Sequence, residues 1–362
     1  MKTLRQYLLC LPLLMTSPWT SAHAQSMNAS PIVKLDPSLD QILASDAKLE
    51  LLNGEGSFEG GEGPLWIQRG ESGYLLFSDV SGNRIMQWTP ACFKYPCSTD
   101  GKLSVFLEHS GYADASRVGS VDAGGAHLNG SNGLTLDHEG RIVLDATGDR
   151  AVERIEKDGK RTILADQFEG KRLTCPNDIV VKSDDAVYFT DGAAGCLPKR
   201  EDDPAKELPF HGVYSIRNGH LQLLDKDPGG LPPNGLAFSP DEKILYVNNG
   251  GPAPNQRQIF AYDVQSDGTL NNKRLFIDFT GEKGPGGPDG MKVDVMGNVY
   301  STGMGGIWVI SPAGKRLGQF PAPEGIRFSN LTFGDQDSRT LYIVSPKTLW
   351  RIRLKVAGIR PR

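Results

Sequence analysis

One stretch that decides the fold reads Asn234-Gly235-Leu236-Ala237-Phe238, then the polar turn Ser239-Pro240-Asp241-Glu242, then Ile244-Leu245-Tyr246-Val247. A polar residue opens this stretch, a short apolar strand follows, and a turn leads into a second strand that contains β-branched and aromatic residues. The pattern is typical of a β-hairpin whose strands are largely buried.

The same module occurs six times along the chain. The copies open at Glu62, Asn132, Asn177, Asn234, Asp289 and Asn330. The intervals between openings are 70, 45, 57, 55 and 41 residues. A propeller blade of four antiparallel strands needs about 40–50 residues, so insertions account for the longer intervals. We therefore predict an all-β fold, a six-bladed β-propeller.

Two other fold classes agree less well with this pattern. An α/β fold needs long amphipathic crossover segments between strands, and the sequence shows none of sufficient length. A β-sandwich is compatible with the strands but does not explain six similarly spaced openings. We predict a signal peptide at residues 1–24, an N-terminal extension at 25–47 and a single propeller domain at 48–362. Within that domain we expect Lys48–Leu52 to pair into the last blade and close the ring.

The first 24 residues have the pattern of a secretory signal peptide. Lys2 and Arg5 form a positive start, Leu8–Met15 is a short apolar run, and Ala22-His23-Ala24 offers a cleavage site. The apolar run is too short to span a bilayer, although a short buried helix is a competing interpretation. The pattern predicts export, to a periplasm or to the cell exterior.

The charge of the chain bears on its partners. The formal net charge is −4, and removal of the predicted signal peptide makes it −6. A mildly acidic surface argues against nucleic acid or an anionic membrane as a partner. We expect a small-molecule substrate, whereas the sequence does not predict the oligomeric state.

Four cysteines remain after the predicted cleavage: Cys92, Cys97, Cys175 and Cys196. An even number in an exported chain favours disulfides, with three possible connectivities. We favour the local pairs, 92 with 97 and 175 with 196, because each would fasten an irregular insertion. Zinc binding is the competing interpretation, but neither spacing is C-x-x-C and no H-x-x-x-H accompanies them.

The six opening residues are candidates for a metal site. The first strand of each propeller blade lines the central channel, so equivalent side chains on the six blades converge. Two carboxylates and several amides offer oxygen ligands that suit Ca²⁺, with Mg²⁺ or Mn²⁺ as alternatives. Asn-Gly and Asp-Gly are also common turn dipeptides, which is the competing interpretation of each single copy. Glu62 is not a turn former, and six copies in register favour the interpretation that the opening residues line the channel.

Four motifs resemble those of the senescence marker protein/gluconolactonase family, which includes regucalcin-like proteins. The motifs are Gly61-Glu62-Gly63-Pro64-Leu65-Trp66, Pro176-Asn177-Asp178, Pro233-Asn234-Gly235-Leu236 and Pro288-Asp289-Gly290-Met291. The resemblance runs from about Leu49 to Leu354. It implies a six-bladed propeller with one catalytic divalent cation in the channel and hydrolysis of a lactone. Ca²⁺ is the first expectation for that cation, and Mg²⁺, Mn²⁺ or Zn²⁺ are alternatives.

The resemblance also implies roles for individual residues. The implied metal ligands are Glu62, Asn177, Asn234 and Asp289. Asn177 is either a ligand or a substrate contact, and Asn132 is a second substrate contact in the channel. Asp289 matches the carboxylate often proposed as the general base.

A cation with open coordination positions suits ester and lactone hydrolysis, because it polarises the carbonyl and stabilises the oxyanion. Neither a G-x-S-x-G elbow nor an H-E-x-x-H or phosphate-loop motif occurs, which argues against those enzyme classes. His127 lies in a long loop between the first two blades, and loops of this length often bind substrate. We predict a substrate contact, with an ordinary surface histidine as the alternative. The charged insertion Cys196–Phe210 is expected over the third blade, where it would shape the pocket.

Two departures from the family leave the substrate open. Many bacterial members carry a histidine where this chain reads Ala146-Thr147-Gly148-Asp149-Arg150, and some animal members carry an arginine where it has Cys175. The leading hypothesis is an exported metal-dependent lactonase. The alternatives are other chemistry on the same site (phosphoester hydrolysis, a lyase or an isomerase) or a non-enzymatic binding propeller stabilised by calcium.

Overall fold

The computed structural model describes residues 31–54, 56–112, 130–193, 195–250 and 257–361. The predicted signal peptide at 1–24, the first residues of the predicted extension and His127 lie outside the described residues. Within the described residues, no helix has the length and apolar character needed to cross a membrane.

Strands dominate the described residues, which also contain one short α-helix, α1 (Leu39–Ile42). In chain order the strands are β1 (Val33–Lys34), β2 (Glu50–Asn53), β3 (Gly61–Arg69), β4 (Ser72–Asp79), β5 (Arg84–Pro90), β6 (Gly101–Glu108), β7 (Leu134–Leu136), β8 (Ile142–Ala146), β9 (Ala151–Ile155), β10 (Arg161–Ala165), β11 (Gln167–Phe168), β12 (Lys171–Arg172), β13 (Pro176–Val181) and β14 (Val187–Asp191). They continue with β15 (Gly212–Arg217), β16 (His220–Lys226), β17 (Pro233–Phe238), β18 (Ile244–Asn249), β19 (Gln258–Val264), β20 (Leu270–Asp278), β21 (Met291–Val293), β22 (Val299–Gly303), β23 (Gly306–Ile310), β24 (Arg316–Pro321), β25 (Asn330–Gly334), β26 (Thr340–Val344) and β27 (Leu349–Arg353).

Within the described residues, six antiparallel sheets of four or five strands follow one another along the chain, and each is one blade; β11 and β12 form a separate two-stranded sheet. From the channel outward, the first five blades are β3 to β6, β7 to β10, β13 to β16, β17 to β20, and β21 to β24. The first strands of neighbouring blades contact one another around the ring, from β3 through β7, β13, β17 and β21 to β25 and back to β3. The predicted six-bladed propeller is confirmed.

The sixth blade joins the two ends of the propeller. It consists of β25, β26, β27 and, outermost, β2. Glu50 pairs with Arg351 across β2 and β27, and the Arg351 guanidinium Nε donates to the Glu50 carboxylate at 2.8 Å. The expected ring closure by the segment around Lys48–Leu52 is therefore observed. Further upstream, β1 adds a fifth strand to the fifth blade, with Val33 opposite Gln319.

The hydrophobic core lies between neighbouring blades. Trp66 of the first blade stacks on Tyr342 of the sixth, with ring centroids 5.2 Å apart. Tyr300 of the fifth blade meets Phe333 of the sixth edge to face at 5.3 Å. Large aromatic side chains on successive blades therefore fill the wedge-shaped space between the twisted sheets, which fixes the blades around the channel.

Aspartates shape several turns between the first and second strands of a blade. The Asp294 carboxylate accepts hydrogen bonds from the backbone N–H groups of Met296 and Asn298, both at 2.9 Å, and from the Tyr300 hydroxyl at 3.0 Å. These are the polar turns of the repeated module. Short side chains that bond to nearby backbone favour turns, which explains their place in the repeat.

Both favoured disulfides are present. Cys92 is bonded to Cys97 and Cys175 to Cys196, and the Cα atoms of each pair are 5.9 Å apart. The first pair closes a loop at the end of β5. The second fastens the insertion after β14 to the segment before β13, so the zinc interpretation of these cysteines is wrong.

Candidate active site

The channel opens at one end of the propeller into a cavity of about 800 Å³. Five of the six opening residues line this cavity: Glu62, Asn132, Asn177, Asn234 and Asp289. The sixth, Asn330, is buried beside them, and its Nδ2 atom lies 3.3 Å from the Glu62 carboxylate. The folded chain thus brings the sequence-predicted channel residues together.

A break in strand pairing turns several opening side chains toward the cavity. The register between β3 and β4 shifts between Glu62 and Leu65. Corresponding shifts occur in β13 and β17, around Asn177 and Asn234. A bulge leaves a residue unpaired and re-aims its side chain, a device often found beside active sites.

Side chains on the second strands hold the backbone of the opening residues in place. On β4, β14 and β18, the residue one position before the end of the strand donates a side-chain hydrogen bond. In each case the acceptor is the backbone carbonyl of the next blade's opening residue. The bonds run from Ser78 Oγ to Asn132 (2.8 Å), from Thr190 Oγ1 to Asn234 (2.7 Å) and from Asn248 Nδ2 to Asp289 (2.5 Å). Sequence reasoning missed these residues, although an alignment of the repeats would have shown a small polar residue at that position in five of the six, with Val344 as the exception.

The glycine that follows an opening residue has a packing role. A Cβ atom on Gly235 would lie 2.0 Å from the backbone oxygen of Asp289, and one on Gly290 would lie 2.0 Å from the side-chain oxygen of Asn330. Neither glycine is among the residues with positive φ. At these two positions, glycine therefore permits the close approach of the next blade and is not required for a tight bend.

The cavity holds two carboxylates that are difficult to ionise together. Burial raises the pKa of Glu62 well above its ordinary range, and the negative charges of Asp289 and Asp178 raise it further. Burial also raises the pKa of Asp289 to about 7, against the opposing influence of the Arg327 charge and a hydrogen bond with Asn234. Two carboxylates in a poorly solvated place favour a bound cation or a proton.

Further acidic residues lie behind the cavity and were not identified from the sequence. Asp178, which follows Asn177, is 3% exposed, and burial raises its pKa. Asp191 ends β14, and its carboxylate accepts backbone hydrogen bonds from Thr174 (2.7 Å) and Cys175 (2.6 Å). Burial raises the pKa of Asp191 to about 6. Asp191 thereby holds the segment that leads into the opening residue of the third blade.

A sequence profile of the family described as "SMP-30/Gluconolactonase/LRE-like region" matches residues 60–347. The chain belongs to this family. A gluconolactonase of Zymomonas mobilis is 34% identical over 347 residues, which cover 93% of this chain and 90% of that protein. A Xanthomonas campestris protein whose structure is described as a gluconolactonase important in glucose secondary metabolism is 31% identical, with a TM-score of 0.70 over 90% of this chain and 96% of that one.

A protein of Agrobacterium tumefaciens described as a calcium-binding regucalcin shares the fold, with 15% identity and a TM-score of 0.60 over 86% of this chain and 95% of that one. At this level of identity, the likeness shows the fold alone. The gluconolactonases are similar over nearly their full length, so the family resemblance read from the motifs is confirmed.

In this member of the gluconolactonase family, the insertion after β14 forms part of the cavity wall. Arg200 and Glu201 of the insertion line the cavity, together with His211 at its end. The two ring nitrogens of His211 lie 3.0 Å from a Glu201 oxygen and 3.2 Å from an Asp227 oxygen. The expectation that Cys196–Phe210 would shape the pocket agrees with this arrangement. His211 was not singled out from the sequence because its two carboxylate partners come from separate elements.

The donor set of the cavity fits a hard divalent cation. Among the described residues, no group of three His, Cys, Asp or Glu side chains comes together as a metal site. The candidate set instead pairs the carboxylates of Glu62 and Asp289 with the amides of Asn177 and Asn234 around one cavity. Carboxylate and amide oxygens are ligands of Ca²⁺, and a cation would remove the repulsion that raises the pKa of Glu62.

Proposed function

We propose that this protein is an exported lactonase that uses a divalent cation, Ca²⁺ in the first instance, held by Glu62, Asn177, Asn234 and Asp289. The observation that carries the proposal is the pair of poorly solvated carboxylates at the end of the channel, inside a cavity large enough for a small cyclic ester.

The lactonase class rests on the comparisons. The gluconolactonases are similar to this chain over about nine tenths of its length and of their own. The same channel end that carries the family motifs carries the cavity. The alternative chemistries on this site have no comparable support.

The residues of this chain have separable roles in such a hydrolysis. A bound cation would polarise the lactone carbonyl and stabilise negative charge on its oxygen. Asp289, which lines the cavity together with Glu62, would accept a proton from the attacking water. The Asn132 and Asn177 side chains face the same cavity and can bind the hydroxyl groups of a sugar-like ring.

The water-derived oxygen forms a bond to the carbonyl carbon, and the bond between that carbon and the ring oxygen breaks. The ring oxygen takes up a proton and becomes a hydroxyl group, and the product is a hydroxy acid in its ionised form. No redox partner is required.

Export is supported by the start of the chain and by the cysteines. The first 24 residues follow the signal-peptide pattern, and two disulfides are present in the folded chain. Disulfides persist mainly in oxidising compartments outside the cytosol. Fractionation of cells that express the full chain, followed by N-terminal sequencing of the mature protein, tests this part of the proposal.

A lactone panel tests the activity and its metal dependence. Purified protein is assayed against aldono-lactones, an aromatic lactone and a phosphoester, before and after dialysis against a chelator. We expect lactone hydrolysis that is lost on chelation and restored by Ca²⁺. Glu62→Gln should lose both Ca²⁺ binding, measured by calorimetry, and hydrolysis. Glu59→Gln, at a site whose side chain is 73% exposed, is the matched control and should retain both.

Turnover that survives complete metal removal would refute the metal mechanism. Hydrolysis of the phosphoester without any lactone hydrolysis would replace the proposed reaction class. A protein that binds Ca²⁺ tightly and hydrolyses none of these compounds would support the non-enzymatic alternative.

A further inference from the structure

Three arginines line the same cavity as the candidate metal ligands. Arg200 belongs to the insertion of the third blade, Arg257 precedes β19 of the fourth, and Arg327 precedes β25 of the sixth. They therefore come from three separate connections at one end of the propeller. Arg200 and Arg327 are exposed and Arg257 is half-buried. The guanidinium groups thus belong to the solvent side of the cavity.

We call these three arginines the rim of the cavity, and among the described residues the rim has no close ion-pair partner. Within the described parts of the chain, none of the three guanidinium groups forms an ion pair within 4.0 Å. Elsewhere on the surface, arginines do form such pairs, as Arg141 does with Asp137 at 2.7 Å and Arg217 with Asp184 at 2.8 Å.

Glu201, an acidic residue of the same cavity wall, already has cationic partners. Glu201 lies 3.0 Å from the His211 ring and 3.7 Å from the Lys206 ammonium. Within the described residues, the Arg257 guanidinium makes one hydrogen bond, from Nη1 to the backbone oxygen of Gly286 at 2.6 Å. That bond uses one of the five N–H donors of the guanidinium, and a ligand in the cavity would meet the others.

We infer that the cavity is built for lactones that carry a second, anionic group, with the reacting carbonyl toward Glu62 and Asp289 and the anionic group toward Arg200 and Arg257. This inference rests on the proposed lactonase function and names its substrate class. The anionic group is a carboxylate or a phosphate, which share the planar or forked oxygen geometry that guanidinium groups bind in two-point fashion.

The test compares three lactones with the Ca²⁺-loaded protein. The neutral compound is D-glucono-1,5-lactone, the carboxylate compound is D-glucaro-1,4-lactone, and the phosphate compound is 6-phospho-D-glucono-1,5-lactone. We expect kcat/KM to be higher for at least one anionic lactone than for the neutral one, and we expect added salt to weaken only that preference. Whichever anionic lactone is preferred identifies the anionic group.

Single variants then test the arginines. Arg200→Gln and Arg257→Gln should each lower kcat/KM for the preferred anionic lactone about 10- to 100-fold, the range expected for a lost charge-assisted hydrogen bond. They should change the value for the neutral lactone less than about threefold. Arg69→Gln, at the exposed end of β3 in the first blade, is the matched control and should change neither.

The inference fails if the wild-type protein prefers the neutral lactone, or if the two variants lower the rates of both classes equally. If no lactone is hydrolysed, the proposed function fails, and binding still tests the rim. Calorimetry with D-glucarate and with 6-phospho-D-gluconate should then show weaker binding to Arg200→Gln and Arg257→Gln than to Arg69→Gln. Equal binding to all three would overturn the inference independently of activity.

Discussion

Replacing Asp289 by asparagine should make the metal-free protein more stable at alkaline pH, while it removes metal binding. Asparagine has nearly the same shape as aspartate and can keep the contact with Asn234. It removes a negative charge from a poorly solvated cavity that also contains Glu62. The change therefore isolates the electrostatic part of the site from its packing.

The expected size follows from the acidity of Asp289. Its pKa is about 7 in the folded protein and 3.8 in its ordinary state. A folded-state pKa above the unfolded value means that the folded protein binds the proton more tightly, so stability falls as pH rises from about 4 to about 7. At 1.36 kcal/mol per pH unit, the free energy of unfolding loses about 4 kcal/mol by pH 8 and about 2 kcal/mol by pH 5. Asp289→Asn should recover these amounts in chelator.

Urea unfolding followed by tryptophan fluorescence at pH 5 and pH 8, in chelator and in excess Ca²⁺, measures these differences. Calcium at 100 times its dissociation constant should stabilise the wild-type protein by about 2.7 kcal/mol and the variant hardly at all. Asp46→Asn, at an exposed position, controls for the loss of one carboxylate. The reasoning is refuted if Asp289→Asn is less stable than the wild type at pH 8, or if calcium stabilises both proteins equally.

Three further outcomes follow from the structure. Replacing Cys175 and Cys196 together by serine should lower the free energy of unfolding, measured in urea, by about 2–4 kcal/mol, and should raise KM more than it lowers kcat. The same exchange at the other disulfide, which closes a shorter loop, should leave KM unchanged. Gly235→Ala should lower the free energy of unfolding by about 1–3 kcal/mol and weaken Ca²⁺ binding in calorimetry, because the new methyl group would meet the backbone of the next blade's opening residue. Gly54→Ala is the control and should do neither, because there is open space around Gly54. Tyr342→Phe should lower stability by about 1–2 kcal/mol without changing kcat, because only a hydrogen bond of 2.7 Å to a turn carboxylate is lost.

The sequence predicts the fold well because one local pattern recurs at suitable intervals. A hairpin such as Leu236 to Val247 carries its own strand and turn signals, and six copies leave few arrangements that bury their apolar faces. The candidate ligands follow from the same repeat, since the start of an innermost strand must face the channel. The positions of Glu62 and Asp289 in the channel therefore follow from the sequence alone.

The residues that sequence reasoning missed owe their positions to irregular segments. Arg257 and His211 reach the cavity through loops and insertions whose course no periodicity describes. Asp178 is adjacent to a predicted ligand, yet a one-residue difference along a bulged strand decides whether a side chain faces the cavity or the packed interior. The turn interpretation of Asn-Gly failed for a related reason, because the close contact that requires Gly235 comes from a different blade.

The pairing of β2 with β27 has a consequence for how the protein reaches its final shape. Glu50 and Arg351 are 301 residues apart in the chain, so β27, the partner of β2, is synthesised long after β2 itself. Until then, β2 has no partner strand and the earlier blades form an open arc. Forming such distant contacts is slow, because a long stretch of chain must be ordered first. A fragment that lacks either end would keep an unpaired edge and could recruit the missing strand from a second molecule.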